Sequence, residues 1–108
     1  MGIKRLSQSA VGTGAGTLLY TVPTSYRTNV TNIDVANTTS APVNFTLYLV
    51  NSGGSVAAAN MLFPTVSIPA NTMIQWTGLQ QITAGAFIQA IGSATGITVN
   101  ITGDEVRE

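Results

Sequence analysis

The sequence predicts an all-β fold: a single antiparallel β-sandwich or jelly roll of about seven to eight short strands, with a flexible N-terminal arm. Three observations lead there. Short runs rich in Val, Ile, Thr and aromatic residues recur along the chain, some with strict two-residue alternation. Clusters of Asn, Thr, Ser, Gly and Pro separate these runs at short intervals. Finally, 108 residues suffice for one domain and are too few for two of ordinary size.

Residues 1–16 read as the arm. They lack sustained periodicity, and Gly12, Gly14 and Gly16 loosen the end of the segment. Fully extended, residues 2–16 would reach roughly 50 Å at ~3.3 Å per residue. The sandwich is expected over 17–103. Thr17–Val22 is β-branched and aromatic, and Pro23 ends it. Arg27–Ala36 is a second strand whose parity slips, with Val30 on one face and Ile33 and Val35 on the other; a bulge near Thr31–Asn32 reconciles them. Asn37-Thr-Thr-Ser-Ala-Pro42 is a turn cluster. In Val43–Val50, Val43, Phe45, Leu47 and Leu49 face one way, and Asn44, Thr46 and Tyr48 face the other. Val56–Leu62 reads as a short helix or helical loop, with Ser55 as N-cap and Pro64 as stop. Thr65–Ile68, Thr72–Thr77, Ala86–Ile91 and Ile97–Thr102 complete the strands, and 104–108 reads as a charged C-terminal tail. The alternation assigns Phe45, Leu47, Leu49, Ile74, Trp76, Val99 and Ile101 to the core.

The composition narrows the function. Cys and His are absent, which excludes disulfides, Cys-ligated metal centres and the commonest general base. Charged residues make up 7% of the chain and sum to zero, against about 25% in an average protein. Nucleic acid and anionic membranes both need concentrated Lys and Arg, so neither is an expected partner. Sixteen Thr, eight Ser and eight Asn take the place of charge. The N-terminus has no apolar signal region, and no stretch approaches the roughly 20 apolar residues of a membrane helix. The chain therefore reads as soluble and made in the cytoplasm.

No catalytic grouping emerges, and no cofactor or metal is expected. Lys4 is the only lysine and sits in the arm, while Gly92-Ser-Ala-Thr-Gly96 has its serine one place too early for a nucleophile elbow. Of the four acids, Asp104, Glu105 and Glu108 crowd the C-terminus, leaving Asp34 alone on a strand. A glycosidase needs a facing pair, and calcium needs a cluster. Gly12-Thr-Gly-Ala-Gly16 precedes a strand, whereas a dinucleotide loop follows one. Tyr20, Tyr26, Tyr48 and Trp76 are read as core or interface residues, with a sugar-stacking platform as the alternative.

Leu18-Leu-Tyr-Thr-Val-Pro23, Val30-Thr-Asn-Ile-Asp-Val-Ala-Asn-Thr-Thr39 and Val43-Asn-Phe-Thr-Leu-Tyr-Leu49 resemble a pattern found in small virion proteins of tailed bacteriophages. So do Val66-Ser-Ile-Pro-Ala-Asn-Thr72, Trp76-Thr-Gly-Leu79 and Gly96-Ile-Thr-Val-Asn-Ile-Thr-Gly103. The resemblance spans about residues 17–103. It implies a non-enzymatic structural subunit, often a homotrimer, of the kind that serves as capsid decoration (cement) protein or as a tail, baseplate or head–tail part. It carries over no catalytic residues.

The resulting expectation is a cement protein on the capsid surface of a phage virion, contacting its own copies and a major capsid or other virion protein. A tail-associated component and a host-glycan binding module are the alternatives. The residues expected to meet partners are Ile3, Lys4, Arg5 and Leu6 in the arm, and Tyr48 on the strand face turned away from the core.

Overall fold

A computed structural model of the chain describes residues 4–13, 17–55 and 60–107. Among these residues there are eight strands: β1 (Lys4–Val11), β2 (Thr17–Thr21), β3 (Tyr26–Asn37), β4 (Val43–Val50), β5 (Met61–Ile68), β6 (Met73–Thr83), β7 (Phe87–Gly92) and β8 (Ile97–Arg107). They form two four-stranded sheets in the orders β1–β8–β3–β6 and β2–β7–β4–β5, and every pairing is antiparallel. First pairs with last, second with seventh, third with sixth and fourth with fifth, which is a long hairpin wound into a jelly roll.

The period-two patterns explain which side chains meet between the sheets. Ile33 and Val35 of β3 lie beside Ile101 and Val99 of β8, and all four are fully buried. From the other sheet come Phe45 and Leu47 of β4, Ile88 and Ala90 of β7, and Phe63 and Ile68 of β5. The rings of Phe45 and Phe63 meet edge to face, with centroids 5.7 Å apart. The register shift between Val30 and Asn32 is the bulge that the parity of this segment requires; it keeps Thr28 and Val30 buried on the same side as Ile33 and Val35.

Three expectations need correction. Residues 4–11 are an edge strand rather than an arm: β1 pairs with β8 from Lys4–Gly103 to Val11–Ile97. Its alternation is weak because an edge strand buries little, here Val11 and part of Leu6. The charged tail is likewise the end of β8, with Asp104 to Arg107 paired to Asn29 to Tyr26. The sandwich therefore extends beyond 17–103 at both ends. Met61 and Leu62 open strand β5 instead of closing a helix; the rest of that expected helix, residues 56–59, lies outside the described residues, as does Ile3. Of the seven core assignments, Phe45, Leu47, Val99 and Ile101 are fully buried. Leu49, Ile74 and Trp76 are only partly covered where they pack against the core.

Candidate interaction surfaces

The strand order sorts the charges of the described residues. Arg5 and Lys4 lie on β1, Arg27 and Asp34 on β3, and Asp104, Glu105 and Arg107 on β8, all in one sheet. Strands β2, β7, β4 and β5, the whole of the other sheet, carry no charged residue, and neither does β6. The outward faces differ accordingly. Across the charged sheet runs the row Gln8, Asn100, Asp34 and Gln75. Its amides are bonded laterally: Gln75 Nε2 donates to Asn32 Oδ1 at 3.0 Å, and Asn32 Nδ2 to Asp34 Oδ2 at 3.0 Å. The uncharged sheet turns Leu18, Phe87, Ile91, Tyr48 and Met61 to the face opposite Ile88 and Ala90, which point into the core; on that outer face Leu18 is exposed, Phe87, Ile91 and Met61 are half-buried, and Tyr48 and Val50 are covered.

The residues expected to meet partners are used internally to different degrees. Lys4 Nζ forms an ion pair with Glu105 Oε1 at 2.6 Å. Leu6 packs against the core, and Arg5 donates to Gln8 Oε1 at 3.0 Å on the exposed face. Tyr48 does point away from the core, yet it is only 8% exposed, which leaves little of its side chain for a partner to meet. The four aromatics form no common platform. Tyr20 points between the sheets, Tyr48 outward from β4, Tyr26 packs on the core beneath the Arg107 guanidinium, and Trp76 lies over Gly78 at the sandwich edge.

Glu105 anchors a polar cluster that ties both sheets to β1. Tyr20, from β2, donates its hydroxyl proton to Glu105 Oε2, and the Thr28 hydroxyl in turn donates to the Tyr20 oxygen at 2.8 Å. Hydrogen bonds from Lys4 and Tyr20 hold the Glu105 carboxyl below its ordinary range. The same carboxylate raises the Lys4 ammonium. Burial, then the bond to Glu105, pushes the Tyr20 phenol up to about 12. A second cluster centres on buried Asn37. Its amide nitrogen donates to the carbonyls of Ala41, Ile68 and Pro69, and its oxygen accepts from the Thr39 N–H and hydroxyl. This joins the β3–β4 turn to the β5–β6 turn. Sequence reasoning passed over both clusters, although parity signals them: Asn37 follows Ile33 and Val35, and Glu105 follows Val99, Ile101 and Gly103, at two-residue steps.

Among the described residues there is no group of three or more acids that could hold a metal ion. A concavity of about 230 Å³ lies between β5 and β6 and is lined by Leu49, Asn60, Met61, Leu62 and Gln80. No helix among the described residues is long and apolar enough to cross a membrane. The sequence matches no described protein family, and no curated protein is detectably similar to it.

Proposed function

We propose that this protein is a structural subunit of a phage virion: a cement protein that docks on the head shell as a homo-oligomer, with a trimer as the expected form. The observation that carries the reading is the segregation of charge. One entire sheet of the jelly roll is charge-free, and its outer face leaves Leu18 exposed and Phe87, Ile91 and Met61 partly exposed. Depletion of charge with enrichment of aromatic and aliphatic groups marks the centre of protein interfaces. A small domain with such a face is suited to being covered by neighbours, and many modest contacts add up across a repeating lattice. The resemblance of residues 17–103 to small virion proteins supplies the setting, and the jelly roll is an architecture used in viral shells. Fold alone does not assign function, so the proposal rests on the face and the resemblance together.

Quantitative mass spectrometry of purified particles tests it. Hundreds of copies per particle support the cement role. A few tens or fewer place the protein in the tail or at the head–tail junction. Absence from the particle overturns the proposal.

A further inference from the structure

An open sandwich has four sheet edges, and unpaired edges invite pairing with other chains unless something blocks them. Three edges of this molecule are blocked. β1 carries Lys4 and Arg5 and shifts register between Arg5 and Ser7. β2 is five residues long and shifts register between Leu18 and Tyr20. β5 contains Pro64, which has no N–H to offer, puts Thr65 at a φ of 40°, and shifts register twice against β4.

β6 is different. Its eleven residues, Met73–Thr83, include no charge and no proline. Opposite Thr31 the strand carries two residues, Gly78 and Leu79, where β3 has one. The bulge falls at Gly78 and Leu79, and Leu79 is 67% exposed; Met73, the first residue of the strand, is 55% exposed. Beside Leu79, the hollow between β5 and β6 is walled by Leu49, Met61, Leu62 and Gln80.

We infer that the β5–β6 wall is the surface through which copies of this chain associate, with Leu79 of one copy seated toward the hollow of the next. The inference rests on the homo-oligomer of the proposed function and names its contact. A second copy is the fitting occupant on two grounds. A charge-free wall brings no like charges together when it faces itself, whereas a partner chosen by charge would find nothing on β6 to read. The area also fits. Eleven residues at about 3.4 Å each, by the molecule's smallest dimension of 18 Å, give roughly 650 Å², near the ~800 Å² per partner of a standard interface.

The test uses the full chain at micromolar concentration in sedimentation equilibrium. Leu79→Arg should raise the dissociation constant by about 30-fold or more, the effect of losing an interface hot spot. Met73→Lys should weaken association in the same direction. Leu18→Arg, at a side chain of similar exposure (58%) on a blocked edge, should leave it unchanged. Far-UV spectra matching wild type show that the variants fold. Wild-type protein that stays monomeric overturns the inference, as does association that survives Leu79→Arg and Met73→Lys. Neither result touches the copy number in the particle, which decides the virion role separately.

Discussion

Replacing Leu47 by alanine probes the packing between the sheets. Leu47 is fully buried on β4, an inner strand, with Ala90 beside it on β7 and Phe63 on β5. The substitution removes three carbons, worth ~0.8 kcal/mol each in transfer, so about 2.4 kcal/mol is lost before any cavity forms. The gap cannot close easily, because Ala90 has only a rigid methyl group beside it and β4 is hydrogen-bonded on both edges. The cavity left behind brings the total to about 3–5 kcal/mol. In a domain of this size, ~3 kcal/mol lowers the midpoint of thermal unfolding by roughly 12–24 °C. Urea titration followed by the fluorescence of Trp76, the only tryptophan, measures the loss at matched protein concentration. Asn44→Ala on the same strand is the control. Asn44 is exposed and bonds Ser93 only through its backbone, so its loss should stay within about 0.5 kcal/mol. A Leu47→Ala protein within about 1 kcal/mol of wild type would refute the packing described here.

Asn37→Ala should destabilise by about 1–3 kcal/mol, since it strands the Ile68 carbonyl in the interior; calorimetry of the variant measures this, and Asn37→Asp should be at least as damaging because it removes both donors. Stability should be flat near neutral pH and fall at both extremes. Glu105 titrates below its ordinary 4.5 when folded, so its contribution is present above that value and lost as pH falls through the lowered one. Tyr20 is raised from 10.0 to about 12, so its contribution is intact below pH 10 and lost as pH rises toward 12. Glu105→Gln should weaken the acid-side loss and speed amide hydrogen exchange in β1, read by denaturation across pH and by exchange mass spectrometry. Gly103→Ala should lower stability markedly, because a Cβ there would strike the Asn29 carbonyl across the β3–β8 pair; thermal unfolding checks it.

The jelly roll was legible where alternation is strict. Val43–Val50 alternates cleanly because β4 is an inner strand with one face in the core, and its bounds match the structure residue for residue. The slip in β3 pointed to its bulge for the same reason. The edges were not legible. β1 buries little, so its sequence of Lys, Arg, Ser and Gln carries no parity and resembles a loose arm. β6 runs past Gly78, which looks like a terminator in sequence but serves as a bulge under the Trp76 ring. Charge segregation also needed the strand order: the charged residues lie far apart along the chain, and only the pairing of β1, β8 and β3 gathers them into one sheet.

On the proposed virion role, the charge-free sheet and the β5–β6 wall of this sandwich are covered by neighbours on the particle. An image reconstruction of the virion, at a resolution that separates the two sheets, tests it most directly. Eight-stranded density of this shape is expected at symmetry-related sites on the outside of the head shell, with the β2–β7–β4–β5 face or the β5–β6 wall in contact. Density for this chain with both of those surfaces open to solvent, or particles that lack it altogether, would contradict that role.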